Sequence, residues 1–169
     1  MGRYEDWADC VAEFLDAYPA GSGLPPEGPV DAGPEAYAAS VTQSQFYCDE
    51  SAVLPHGRMH TDYLWITESD EIVGFLRFTY ELNDFLREVG GHIGYSVRPS
   101  RRREGHASRA LGLALDRARV RGMDRVLVTC DAGNVASART IASQGGQLED
   151  VRDGKCRYWI GLPPVATDG

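Results

Sequence analysis

The order of strand-like and helix-like segments after residue 63 constrains the fold more than any other feature of the sequence. Alternating or continuous apolar runs predict strands, and apolar residues at helical spacing predict amphipathic helices. The predicted strands cover 63–66, 72–80, 91–97, 125–130, 147–151 and 157–160, and the predicted helices cover 105–121 and 135–143, with a short helical turn at 82–86. Adjacent strands followed by this alternation predict a mixed α/β (α+β) sheet with helices on its faces.

The first 62 residues have a different pattern. Apolar residues at helical spacing predict a helix over about the first 18 residues, which Pro19 ends. Residues 19–34 are rich in proline and glycine and predict a loop, because they can continue neither a helix nor a central strand. A second helix is predicted over 35–46. The predicted helical part is too short to be a domain, so 169 residues predict one domain over 1–169.

Composition limits the classes of protein that this chain can belong to. Its apolar fraction of 43% is too high for a disordered chain, and no apolar stretch has the length of a membrane span. The N-terminus is too acidic and polar for a secretory signal, so we expect a cytoplasmic protein. The four cysteines are widely spaced and have no C-x-x-C pair, which predicts reduced, mostly buried thiols and no metal site.

Charge is distributed unevenly along the chain. The net charge is −8, yet residues 98–125 contain nine arginines against three acids, whereas residues 1–71 contain fourteen acids and two arginines. So acidic a chain does not favour nucleic acid as a partner. The basic segment favours a small anionic ligand, and a solvated helix face is the alternative.

The segment from Val97 to Ala107 connects a predicted strand to a long predicted helix. Pro99 ends the strand, and Gly105 allows a tight turn and a close approach of a ligand. The first amides of a helix have no partners within it, and the helix dipole favours negative charge there. The segment therefore predicts a phosphate or pyrophosphate site, with an ordinary strand–loop–helix connection as the alternative.

Two motifs in this sequence resemble those of one enzyme family. Residues 102–107, Arg-Arg-Glu-Gly-His-Ala, match [RQ]-x-x-G-x-[GA], the acyl-CoA pyrophosphate loop of the GNAT superfamily of N-acyltransferases. Residues 134–137, Asn-Val-Ala-Ser, with the glycines at 145–146, resemble the second motif of that superfamily. The resemblance covers 63–161, and the segments 90–100, 128–131 and 157–160 resemble, more narrowly, a bacterial branch described only as predicted acetyltransferases.

The resemblance implies a mostly antiparallel sheet with splayed central strands and a CoA-binding core over 63–161. The loop within 1–62 is then expected to shape the acceptor pocket. Acetyl-CoA is the implied acyl donor, and an N-acetyltransferase acting on an amine of a small molecule or peptide is the implied activity. The implied CoA-binding residues are Ser96, Val97 and Arg98 through their strand edge, Arg102, Arg103, Glu104, Gly105, His106, Ala107 and Ser108 at the pyrophosphate, and Asn134 and Ser137 at the pantetheine arm.

Direct attack of a neutral amine on the thioester requires a base, an oxyanion donor and a protonated leaving thiol. The family's usual tyrosine acid corresponds to Ile141 here, so the candidate acids are Tyr95, Tyr80, Tyr158 or a water. Glu81 and His92 are the candidate bases, and a strand amide near Val97 is the candidate oxyanion donor. A catalytically silent CoA-binding sensor is the alternative function, and another acyl donor such as succinyl-CoA is a weaker one. The acidic N-terminal third favours a cationic acceptor, and a homodimer is an open alternative because family members are often dimers.

Overall fold

Six strands form one sheet in the order β1-β2-β3-β4-β6-β5. The computed structural model describes residues 2–15, 17–25 and 30–163. The strands are β1 (Thr61–Glu68), β2 (Glu71–Thr79), β3 (Ile93–Val97), β4 (Arg125–Asp131), β5 (Gln147–Arg152) and β6 (Lys155–Gly161), and the helices are α1 (Arg3–Ala12), α2 (Pro34–Cys48), α3 (His106–Val120) and α4 (Val135–Ser143). Every neighbouring pair is antiparallel except β3 and β4, which are parallel. The mixed, mostly antiparallel sheet expected from the sequence is confirmed.

Helices cover both faces of this sheet. Leu76 and Phe78 of β2 belong to the apolar core that includes Leu111 of α3, together with Ile141 of α4. Phe75, whose side chain points the opposite way, belongs to a second cluster with α1. We call the side covered by α1 and α2 the acceptor face of the sheet. The expected helices on both faces are thereby confirmed.

Three local expectations differ from the structure. The first helix ends at Ala12 rather than near residue 18, because Leu15 has a φ of +53°, outside the helical region. The helical turn expected at 82–86 is a π-helical turn at Leu86–Gly90. All four cysteines are free, but Cys48 is exposed rather than buried. Residues 26–29 of the expected loop at 19–34 lie outside the described residues.

Strands β3 and β4 part after a single paired position. Ile93 pairs with Val128, and no later residue of β3 pairs with β4 in the described chain. A Cβ on Gly91 would lie 2.7 Å from the carbonyl oxygen of Leu127, so glycine permits the close approach at this point. The His92 backbone N–H donates to that same oxygen at 2.8 Å. The two strands therefore enclose an opening, here called the β3–β4 gap, which confirms the expected splayed central strands.

Within the described residues, no helix combines the length and the apolar character needed to cross a membrane.

Candidate functional site

Six consecutive backbone amides at the start of α3 have no hydrogen-bond acceptor among the described residues. They belong to residues 103–108, and the first intrahelical-type bond is donated by Arg109 to the Gly105 carbonyl oxygen at 3.0 Å. Arg103 and Gly105 have φ values of +69° and +83°, which turn the chain so that it enters the helix abruptly. Successive unpartnered N–H groups at a helix N-terminus form a concave site for an anion. We call these six amides the amide cradle.

The loop before the amide cradle is fixed by α1. Glu13, directly after α1, accepts hydrogen bonds from Arg98 Nε at 2.7 Å and from the Ser100 backbone N–H at 2.9 Å. Burial alone would raise the pKa of Glu13, but the hydrogen bonds from Arg98 and Ser100 hold it below its usual range. Arg98 also pairs with Glu71, so its guanidinium joins α1 to the start of β2. This arrangement holds the loop in place while its amides stay unpartnered.

Most arginines of the basic segment are neutralised by acids. Six of the nine form ion pairs with carboxylates of the described chain: Arg98, Arg101, Arg109, Arg117, Arg119 and Arg121. Arg125 lies over the Trp159 ring at 4.3 Å. Arg102 and Arg103 are exposed at the amide cradle, and Arg102 Nε donates to the Val97 carbonyl oxygen at 3.1 Å. The charge available to an anion there therefore comes from these two residues and not from the whole segment.

The side chains of Glu104 and His106 are used within the protein. His106 is buried, and its Nδ1 lies 2.9 Å from Arg109 Nη2, which can only donate. Its Nε2 therefore carries the proton and donates to Glu104 Oε2 at 3.1 Å. Hydrogen bonds from Arg101 and His106 lower the pKa of Glu104. Both residues consequently offer only their backbone amides to a ligand.

Glu68, Glu104 and His106 bring three potential metal-ligand atoms within 4.8 Å of one another. Arg101 Nη2 lies 2.5 Å from Glu68 Oε2, and Arg109 Nη2 lies 3.0 Å from Glu68 Oε1. Guanidinium groups thus already supply the positive charge that a cation would bring. The cluster is an ion-pair network that supports the loop.

The register of β3 corrects which backbone groups face the β3–β4 gap. The Arg98 N–H donates to the Val73 carbonyl oxygen at 2.9 Å, and Ser96 pairs with Phe75 of β2. Backbone groups alternate in direction along a strand, so those of Ser96 and Arg98 point to β2 and not to the gap. Those of Tyr95 and Val97 point to the gap. Of the three expected edge residues, only Val97 is placed as predicted, and Tyr95 joins it.

Residues of α4 and β3 meet across the gap on the face that α4 covers. The Asn134 side-chain oxygen accepts from the Ser137 backbone N–H at 3.0 Å and so caps α4. The Ser137 hydroxyl lies 2.9 Å from the Tyr95 hydroxyl. Burial raises the pKa of Tyr95, so its phenol stays protonated at neutral pH. Ile141, at the family's usual tyrosine position, is fully buried in the core.

His92 is a structural residue. Its Nδ1 accepts from the Leu127 backbone N–H at 2.8 Å, so the neutral ring carries its proton on Nε2. Burial, followed by the charges of Arg77 and Arg87, lowers the pKa of His92 to about 4. To act as a base, the ring would have to break its bond to Leu127. The expectation that His92 is a catalytic base does not fit this geometry.

Glu81 and Tyr80 lie at a different cavity from the β3–β4 gap. Glu81 is exposed and lines a cavity of about 390 Å³ with Arg121, beyond the last turn of α3, whereas the amide cradle is at the first turn. The Tyr80 hydroxyl donates to Asp62 Oδ1 at 2.6 Å. Neither side chain is directed to the gap by its described contacts. Tyr95 is therefore the candidate acid that the structure places there.

Two residues of this site carry no motif signal in the sequence. Glu13 is 85 residues from Arg98, and only the folded chain brings them together. The Gln144 side chain donates to the Ser108 hydroxyl at 3.0 Å and so ties the end of α4 to the amide cradle. A site that combines unpartnered amides, two exposed arginines and an open strand edge can bind an extended ligand with a phosphate group at one end.

Comparisons with known proteins agree with this architecture. The model of the acetyltransferase (GNAT) family matches residues 27–145. No curated protein matches the chain.

Three solved structures with the same fold are described here. Mycobacterium smegmatis RimJ in complex with CoA-disulfide is 21% identical, with a TM-score of 0.67 over 95% of this chain and 79% of that one. Salmonella typhimurium yncA with acetyl-CoA is 17% identical, with a TM-score of 0.60 over 99% and 95%. An N-acetyltransferase from Staphylococcus aureus Mu50 is 18% identical, with a TM-score of 0.58 over 95% of each chain. At these identities the likeness establishes the fold.

The buried, neutral state of His92 predicts a pH dependence of stability. Its folded pKa of about 4 lies below the unfolded value, so the unfolded chain binds more protons as the pH falls below about 6.5. The stabilisation is complete above that pH and is lost as the pH falls towards 4. Between pH 8 and 5, His92 should lower the free energy of unfolding by about 2 kcal/mol, measured by urea unfolding against His92→Asn. An NMR titration in which the His92 ring titrates near pH 6.5 would contradict this assignment.

Proposed function

Since the chain belongs to the GNAT acetyltransferase family, we propose that it transfers an acetyl group from acetyl-CoA to an amine of a small molecule or peptide. The observation that carries the proposal is the amide cradle, located where β3 leaves the sheet and next to the β3–β4 gap. CoA has a pyrophosphate linked to an extended pantetheine arm with two amides. The cradle suits the pyrophosphate, and the open edge of β3 suits the arm.

Each part of the site has one role in this proposal. The amides of residues 103–108, with the charges of Arg102 and Arg103, hold the pyrophosphate. The outward backbone groups of Tyr95 and Val97 bond to the pantetheine as a neighbouring strand would. Asn134 and Ser137 border the arm on the side of α4. The Val97 amide, or that of Tyr95, donates to the oxygen that becomes negative during attack.

The reaction forms a C–N bond, breaks the C–S bond of the thioester and releases a thiol. The Tyr95 hydroxyl is protonated and lies at the gap, so we assign it the proton that the sulfur receives. The amine must lose a proton. His92 presents no free acceptor and Glu81 lies at another cavity, so we assign that proton to water.

Residues 17–25 support a role of the N-terminal part in shaping the acceptor pocket. A Cβ on Gly21 would lie 2.7 Å from the Gly94 carbonyl oxygen and 2.9 Å from the Arg77 backbone nitrogen, so this loop lies directly on the acceptor face. Between the loop, α2 and β1 there is a cavity of about 280 Å³, bordered by Tyr63 and Trp65. An acceptor entering from this side reaches β3 from the face opposite α3 and α4.

Gly105→Val tests the amide cradle. Valine resists a φ of +83°, so the substitution should re-orient the amides and raise the Kd for CoA about tenfold or more, measured by calorimetry. Gly122→Val is the matched control, because Gly122 has a φ of +75° at the other end of α3, with open space around it. Both variants should lose about 1–2 kcal/mol of stability, but only the first should lose CoA affinity. Equal affinity in both would refute the cradle.

Tyr95→Phe tests the proton donor. Loss of the hydroxyl should lower kcat about a hundredfold and leave the KM for acetyl-CoA unchanged, measured by thiol release. Tyr158→Phe is the comparison, because Tyr158 borders the same apolar core without a hydrogen bond to Ser137. If kcat falls for Tyr158→Phe instead, the donor is Tyr158. Tight CoA binding with no turnover of any amine by the wild-type protein would favour the silent CoA sensor.

A further inference from the structure

Arg77 occupies the centre of the acceptor face. Along β2, Phe75 points to this face, so Arg77, two residues later, shares it. Arg77 pairs with Tyr63 of β1 on one side and with Gly94 of β3 on the other. A Cβ on Gly94 would lie 3.6 Å from Arg77 Nη2. The guanidinium thus extends over β3, in the space that the missing side chain of Gly94 leaves.

The charge of Arg77 has no carboxylate partner in the described part of the chain. Its Nη2 donates to the carbonyl oxygens of Gly90 at 2.6 Å and Gly91 at 3.1 Å, and no described acid lies within 4.0 Å. Arg98 and Arg157, whose side chains are only 11% and 3% exposed, each pair with two carboxylates. Burial lowers the pKa of Arg77, which reflects the cost of holding this charge without a counter-ion.

The groups around Arg77 are donors that suit an anion. Burial raises the pKa of both Tyr63 and Tyr18, with the nearby charge of Arg77 opposing it, so both phenols stay protonated. The buried Ser96 hydroxyl, two residues along β3 from Gly94 on the same face, has no hydrogen-bond partner in the described chain. A guanidinium together with neutral hydroxyls can bind a carboxylate, and it repels an acceptor that is purely cationic.

The acids of the N-terminal third, which favoured a cationic acceptor in the sequence analysis, are used elsewhere. Glu13, Glu68 and Glu71 pair with arginines of the loop before α3. Asp62 pairs with Arg117 of α3. The Asp6 carboxylate accepts from a backbone N–H of β2. Their negative charge is therefore neutralised within the fold and does not define the acceptor.

We propose that Arg77 binds a carboxylate of the acceptor, so that the substrate class is an amine that also carries a carboxylate, such as an amino acid. This inference rests on the proposed acetyl transfer. The carboxylate lies on the acceptor face over Gly94 and directs the amine of the same molecule to the β3–β4 gap. Arg77 is a specificity-determining residue in this arrangement and takes no part in the chemistry.

The experiment compares paired acceptors that differ in the carboxylate alone. The panel contains the twenty standard amino acids, their methyl esters, a polyamine and a short peptide, with thiol release from acetyl-CoA as the readout. Wild-type protein should acetylate its best amino acid with a kcat/KM about tenfold or more above that of the matching ester, because charged hydrogen bonds are lost in the ester. An ester that equals its amino acid would overturn the inference, whatever the variants do.

Arg77→Gln then identifies the residue that recognises the carboxylate. It should raise the KM for the amino acid about tenfold, remove the preference over the ester and leave the KM for acetyl-CoA unchanged. Arg87→Gln is the control, because it removes an exposed arginine close to the same turn. A preference that survives Arg77→Gln, or one that Arg87→Gln abolishes equally, would overturn the assignment to Arg77.

The outcomes separate this inference from the proposed function. Transfer to the polyamine, the peptide or the esters without preference for a carboxylate would overturn the inference and support amine acetylation. No transfer to any member of the panel by folded, CoA-binding protein would overturn both.

Discussion

The separation of β3 and β4 after one paired position is the constraint on which the rest of this structure depends. Backbone groups that leave a sheet lose their partners, and unpartnered polar groups are costly unless water or a ligand replaces them. The cost here is limited by a firm junction, where Gly91 allows close contact and His92 bonds to both the N–H and the C=O of Leu127. Beyond it, the edge of β3 at Tyr95 and Val97 is open to a strand-like ligand.

Charge in this protein serves mainly to fix the binding loop. The basic segment and the acidic N-terminal third are largely partners of each other, since Glu13, Glu68 and Glu71 hold Arg98 and Arg101. The loop can then keep six amides unpartnered, because side-chain contacts rather than backbone hydrogen bonds fix its position. Arg77 is the contrasting case, a partly buried charge on the other face that lacks a described counter-ion, and this contrast is what identifies it.

Local patterns predicted the parts of the fold that depend on local chemistry. The strand that ends before Pro99, the turn at Gly105 and the helix that follows all depend on neighbouring residues, and the structure has them at nearly the expected bounds. The Asn134 cap of α4 is likewise local. Those features also carried the resemblance to the GNAT family.

Contacts between distant segments could not be predicted from the same patterns. Alternation along β3 shows that one residue in two faces the gap, but only the pairing with β2 shows that it is Tyr95 and Val97. His92 looked suited to proton transfer until its bond to Leu127 was seen. The sign of the acceptor's charge depends on which acids are already paired, and composition does not record this.

The most direct test of the central claim is a structure of the protein crystallised with acetyl-CoA. We expect the pyrophosphate oxygens within hydrogen-bond distance of the amides of residues 103–108, and the pantetheine amides bonded to the backbone of Tyr95 and Val97 in the β3–β4 gap. A pyrophosphate bound elsewhere, or an arm that leaves the gap empty, would contradict the account.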